Sequence, residues 1–240
     1  MKIDEKVWFE LIYNKRVFCV LSEPENNLKK MVIMSHGFRG SSIGPSRTFV
    51  DFSKLLNELG YSVLRFDQPN CGNSEGDFIN SSFKEWVETI EYFGKKYLEA
   101  GYEVTLMGQS MGATATMIAT NQQGIKEKIK KIILWVPDPK SDFNNPEEIS
   151  EEGGQVYKNS FWQEAREMDF NKCLDEYDGK IHLVYGETDK YISKELRDQT
   201  LEKVFKKGGK AMVLPGQDHS SWEFVQSQIV YQEELSFLKE

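Results

Sequence analysis

Apolar residues along the chain follow two rhythms. Short, nearly continuous apolar runs recur at 31–35, 61–66, 103–107, 131–136, 181–185 and 212–214. Other segments carry apolar residues every three or four positions: 46–59 (Phe49, Phe52, Leu55, Leu56, Leu59), 81–100, 193–205 and 222–238, and 113–120 reads as a further helix. The first rhythm predicts buried strands and the second predicts helices. The punctuation agrees: Gly60 and Gly101 stand just past two of the helices, and Pro137 closes a strand. Ser82 with Glu85 predicts a capping box at 81–100. Residues 7–20 alternate imperfectly and break at Asn14-Lys15, which predicts an antiparallel hairpin. Strands that alternate with helices predict an α/β fold, with a mostly parallel central sheet covered by helices on both faces and edged by the opening hairpin.

One region departs from this alternation. Residues 138–178 follow a sheet strand yet show no clear strand of their own. Connections this long in a compact domain are functional lids or binding insertions more often than plain loops. The expected organisation is therefore a core of residues 1–137 and 179–240 with a lid insertion at 138–178. The insertion holds twelve Asp and Glu against four Lys and Arg, so its excess of eight acids equals the net charge of the whole chain. It also carries Phe143, Tyr157, Phe161, Trp162 and Phe170. They either stack on a substrate or anchor the insertion to the core.

The 240 residues suffice for one sizeable domain. A net charge of −8 argues against nucleic acid or an anionic membrane as partner. The three cysteines, Cys19, Cys71 and Cys173, are far apart and form no metal-binding spacing. They suggest free thiols in a reducing compartment. The N-terminal residues carry no apolar signal core, and no window approaches the roughly 18 apolar residues of a membrane helix. These features predict a soluble cytoplasmic protein without a membrane span, a metal site or a cofactor.

The sharpest chemical signal is Gly108-Gln109-Ser110-Met111-Gly112, placed where a predicted strand opens into a predicted helix. A serine between two glycines at such a turn is a nucleophile elbow. A serine hydroxyl needs a base, and the base needs an orienting carboxylate. Of the three histidines, His182 lies inside an apolar run and reads as a core residue. His36 precedes Gly37 at a strand end and reads as structural. His219 follows the last strand, in Gly216-Gln217-Asp218-His219-Ser220, and is the expected base. Asp189, three residues beyond Gly186, is the expected acid, with Asp138 as runner-up and Asp218 disfavoured as the ring's own neighbour. The order Ser110, Asp189, His219 differs from that of chymotrypsin-like and subtilisin-like enzymes. Acyl transfer also requires donors for the developing oxyanion. The backbone N–H of Met111, after the nucleophile, and that of Phe38, in the loop His36-Gly37-Phe38-Arg39-Gly40, are the expected pair.

Taken together, the His36–Gly40 loop, Asp67 through Gly76, the Gly108–Gly112 elbow and the loops around Asp189 and His219 resemble the α/β-hydrolase superfamily over almost the whole chain. Within it the chain resembles small bacterial serine esterases of the cinnamoyl or feruloyl esterase type. One departure is Asn70, where many relatives carry glycine; asparagine tolerates the left-handed backbone such a turn requires. The resemblance implies a cofactor-independent carboxylic ester hydrolase for small neutral esters, including aryl and hydroxycinnamoyl esters. Its alternatives are an acyl thioesterase, a monoacylglycerol-type lipase or a non-catalytic binding module on the same fold.

Overall fold

The computed structural model describes residues 2–141 and 148–240, so Phe143 lies outside the described residues. The chain opens with an antiparallel hairpin, β1 (Ile3–Ile12) and β2 (Lys15–Pro24). Its turn residues Tyr13 and Asn14 are both left-handed, as a two-residue hairpin turn requires. Then follow β3 (Lys30–Ser35), α1 (Thr48–Glu58), β4 (Tyr61–Phe66), α2 (Phe83–Glu99), β5 (Glu103–Gln109), α3 (Met111–Ala119) and β6 (Lys131–Trp135). Between β6 and β9 lie β7 (Ile149–Glu152), β8 (Gln155–Lys158), α4 (Ser160–Glu167) and α5 (Phe170–Glu176), and the chain ends with β9 (Lys180–Gly186), α6 (Lys194–Lys206), β10 (Lys210–Leu214) and α7 (Phe224–Lys239).

Eight strands form one sheet in the order β1-β2-β4-β3-β5-β6-β9-β10. From β4 to β10 all neighbours are parallel, whereas β2 meets β4 antiparallel. This is an α/β-hydrolase fold. The inner parallel strands β3, β4, β5, β6 and β9 are buried throughout their middles because helices cover them on both faces, whereas the edge strand β10 is only partly covered. Rings of α1, β6 and α7 pack together on one side, with Phe52 stacked on Tyr231 and Trp135 against both. α3 is buried along its entire length, which explains why its sequence is apolar all round instead of striped.

Two expectations need correction. Ser82 does cap α2, its Oγ accepting from the Glu85 N–H, but the box is only half formed. The Glu85 carboxylate instead binds Lys15 Nζ at 2.7 and 2.8 Å, from a residue seventy positions away. Residues 138–178 do contain strands: β7 (Ile149–Glu152) and β8 (Gln155–Lys158) form a separate hairpin, followed by α4 (Ser160–Glu167) and α5 (Phe170–Glu176). Four-residue strands are too short for alternation to register. The pair Gly153-Gly154, left-handed at both positions, was the available signal.

The core histidine has an ionic partner that its apolar surroundings do not announce. His182 Nδ1 lies 2.9 Å from Oε1 of Glu234, which is fully buried and also accepts from Trp135 Nε1 at 2.9 Å. Burial alone depresses the imidazole pKa; the Glu234 charge reverses this and leaves it raised. A raised folded pKa stabilises the fold fully below the unfolded value, and that contribution is lost as pH rises through the folded value. Glu234→Ala should therefore cost roughly 3–5 kcal/mol at pH 6, because it strands both partners in the core. Urea unfolding should show the difference from wild type narrowing at alkaline pH, and a constant or widening gap would contradict it.

Candidate active site

Ser110 joins β5 directly to α3 with φ 54° and ψ −128°, a conformation costly for a residue with a side chain. The flanking glycines are what permit it. A Cβ on Gly108 would run into the backbone of Gly112 and Ala113, and one on Gly112 would strike the His36 carbonyl at the end of β3. The helix can therefore start hard against the sheet and lift Ser110 Oγ above the strand ends.

Three side chains from three loops meet there. Ser110 Oγ lies 2.8 Å from His219 Nε2, and His219 Nδ1 lies 2.7 Å from Asp189 Oδ2. An ionised carboxylate only accepts, so Nδ1 carries the proton and Nε2 presents its lone pair to the serine hydroxyl. Asp189 is buried, and its other oxygen, Oδ1, accepts from the N–H groups of Tyr191 and Ile192, both at 2.9 Å. The loops after β9 and β10 are laced together. Thr188 N–H donates to the Gln217 carbonyl at 2.9 Å, Gly216 N–H to Glu187 Oε2 at 2.8 Å, and Lys190 N–H to Asp218 Oδ1 at 3.0 Å. The Tyr191 ring stands edge-on to the His219 ring, 5.1 Å away.

The other candidates stand outside the relay. Asp218 pairs with Lys190 Nζ at 2.8 Å, which, with the His219 N–H, holds its carboxyl down at about 2. Asp138 turns Oδ1 onto its own loop, accepting from Lys140 N–H at 3.0 Å and Ser141 N–H at 2.9 Å. His36 is buried. Its Nε2 accepts from Gln68 N–H at 2.9 Å, so Nδ1 carries the proton and donates to the Gly37 carbonyl at 2.8 Å. Burial lowers the His36 pKa, which keeps the ring neutral in this structural role. Cys71 lines the pocket, but burial pushes its thiol up to about 12. Asn70 is left-handed at φ 66°, the conformation its loop demands.

Phe38 and Met111 both border the pocket, and neither backbone N–H has a partner among the described residues. Met111 opens α3, where amides lack intrahelical acceptors and the helix dipole favours negative charge. The Phe38 ring is clamped by Phe78, Tyr157, Phe161 and Trp162, with centroids 4.7 to 5.0 Å away. Tyr157 and Phe161 are buried anchors, whereas Trp162 also lines the pocket. Arg39 reaches the β7–β8 hairpin, with Nη2 2.9 Å from Glu152 Oε1 and Nη1 2.8 Å from the Glu152 carbonyl.

These residues surround an open pocket of about 1190 Å³. Phe38, Phe78, Trp162 and Leu196 give it apolar walls; Asp77, Asp138 and Glu152 line it with acid, and Arg39 is already paired. Sequence reasoning missed Gln109. Its Oε1 accepts from Gly37 N–H at 3.0 Å and its Nε2 donates to Ser220 Oγ at 2.7 Å, so it ties the Phe38 loop and the His219 loop to the serine's own strand. A polar side chain at the buried end of an apolar strand was the only hint. Among the described residues, no cluster of His, Cys, Asp and Glu could hold a metal ion, and no helix is long and apolar enough to cross a membrane.

The sheet order and the elbow above its strand ends define an α/β-hydrolase. A model of the family described as serine aminopeptidase, S33, matches residues 26–152, just over half of the chain, and the chain belongs to that family. No curated protein matches it in sequence. Among solved structures it is similar to Est1E from Butyrivibrio proteoclasticus, determined with ferulic acid bound, at 21% identity and a TM-score of 0.82 over 97% of this chain and 99% of that one. It is also similar to the α/β hydrolase GrgF from Penicillium sp. sh18, at 16% identity and a TM-score of 0.80 over 100% and 98% of the two chains. A predicted CIB-like hydrolase from Thermoplasma acidophilum matches at 19% identity and a TM-score of 0.67 over 99% and 98%.

Proposed function

We infer that this hydrolase is a cofactor-independent serine carboxylesterase for small neutral esters, including aryl and hydroxycinnamoyl esters. The observation that carries the reading is the relay from Ser110 through His219 to Asp189, at 2.8 and 2.7 Å, opening into the pocket. His219 Nε2 takes the Ser110 proton as Oγ bonds to the ester carbonyl carbon. The oxyanion of the tetrahedral intermediate is received by the Phe38 and Met111 N–H groups. His219 then protonates the leaving alcohol as the carbon–oxygen bond breaks, which leaves an acyl-Ser110 ester. Water, deprotonated by the same imidazole, attacks the acyl carbon and frees Ser110 with the carboxylic acid product.

Residues 138–178 act in this reading as a lid, one wall of which carries Glu152, Gln155 and Trp162. The acidic lining disfavours anionic acyl donors, and this sets simple neutral esters ahead of coenzyme A thioesters. The three buried free cysteines suit a reducing cytoplasm.

Intact-mass detection of a fluorophosphonate adduct tests the activated serine: one adduct is expected, and none on folded protein overturns the reading in favour of a binding module. A panel of esters, acyl thioesters and an aminoacyl anilide then separates the carboxylesterase from the thioesterase and from the aminopeptidase in the family's description. Matched neutral and anionic aryl esters give a further prediction. The neutral one should have the higher kcat/KM at low salt, and the ratio should fall towards one as salt shortens the Debye length to about 10 Å and below. Equal rates at low salt would remove the electrostatic part of the assignment.

A further inference from the structure

Arg197 stands in α6 on the stripe that also carries Thr200 and Val204, the face turned to the core. Only 7% of it is exposed, yet among the described residues it forms no ion pair. A buried guanidinium without a carboxylate is costly, and a cation in the first turns of a helix also opposes the helix dipole. Its contacts explain its presence. Nη1 donates to the Asp189 carbonyl at 3.0 Å and to the Ile192 carbonyl at 3.2 Å, and Nη2 donates to the Glu187 carbonyl at 2.8 Å. Residues 187–192 thus wrap around one planar, forked group.

We propose that Arg197 is a positioning residue for the acid of the relay: its guanidinium is the template on which the 187–192 loop folds, and it aims Asp189 at His219. The proposal rests on the serine-hydrolase reading of the same site. The contacts are specific to that task. One carbonyl held by Nη1 belongs to Asp189 itself. The other belongs to Ile192, whose N–H donates to Asp189 Oδ1. The guanidinium therefore fixes both the backbone of the acid and a donor that occupies its first oxygen, which leaves Oδ2 for His219 Nδ1. A lysine ammonium is compact and cannot span the three carbonyls with a fork.

The test compares Arg197→Lys and Arg197→Met with wild type. Far-UV circular dichroism establishes that each is folded, and Arg197→Lys carries the comparison if the methionine variant is not. The variants should lower kcat on a neutral aryl ester by about 10- to 100-fold, as sub-ångström misplacement does, with KM nearly unchanged. The far-downfield proton resonance of the His219–Asp189 hydrogen bond should weaken or vanish, while Ser110→Ala retains it. Folded variants that keep the resonance and kcat overturn the proposal. Failure of wild type to take up a fluorophosphonate overturns the hydrolase reading instead, and the resonance still decides whether Arg197 aligns Asp189.

Discussion

Ser110→Ala should lower kcat for ester hydrolysis by roughly a millionfold and abolish the fluorophosphonate adduct, while the protein stays folded. The size follows from the geometry. Ser110 Oγ is the atom on which the relay converges, and among the described residues it is the hydrogen-bond partner of His219 Nε2. A residual acceleration of about 10³- to 10⁴-fold over water should survive, because the Phe38 and Met111 amides and the pocket are untouched. Cys71 offers no substitute nucleophile, since its buried thiol stays protonated at neutral pH. The elbow itself should tolerate the change. Gly108 and Gly112, not the serine hydroxyl, allow β5 to meet α3, and alanine bears the same φ of 54° no worse than serine. An adduct or substantial turnover retained by Ser110→Ala would show that the reactive group lies elsewhere.

How much of this was legible in the sequence depends on the distance over which each feature is determined. β3, β4, β5, β6 and β9 are buried on both faces, so each reads as an unbroken apolar run. β1 alternates poorly because, at the sheet edge, Val7, Phe9 and Leu11 remain exposed. β7 and β8 are short and mostly solvent-exposed; Tyr157 and the Arg39–Glu152 pair tie them to a loop more than a hundred residues earlier, and no local pattern records that. The same division holds at the site. Ser110 announces itself by glycine spacing, His219 by the scarcity of histidines, and Asp189 by its place beyond a strand end, all of them local features. Gln109 and Arg197 act on backbone groups of loops that only the fold brings near. Arg197 left a faint trace, a charge on the apolar stripe of a helix, which is legible once one asks what a buried cation is bonded to.

Asp189→Asn should reduce kcat by about 10⁴-fold, whereas Asp138→Asn should stay within about threefold of wild type. Asp189 Oδ1 is committed to the Tyr191 and Ile192 amides, so an asparagine must keep its carbonyl oxygen there. Its NH₂ then faces His219 Nδ1, in the place of Oδ2. An amide NH₂ only donates, so Nδ1 must become the acceptor and the ring proton must move to Nε2. In that tautomer Nε2 has no lone pair for the Ser110 hydroxyl, and the base is lost although every atom stays nearly in place. Asp138 lines the same pocket, but its Oδ1 accepts from Lys140 and Ser141 amides, a duty that the asparagine carbonyl oxygen performs equally well. Steady-state rates of the two variants therefore separate the orienting acid from the wall of the pocket. Equal losses in both, or a near-normal rate in Asp189→Asn, would reject Asp189 as the group that sets the His219 tautomer.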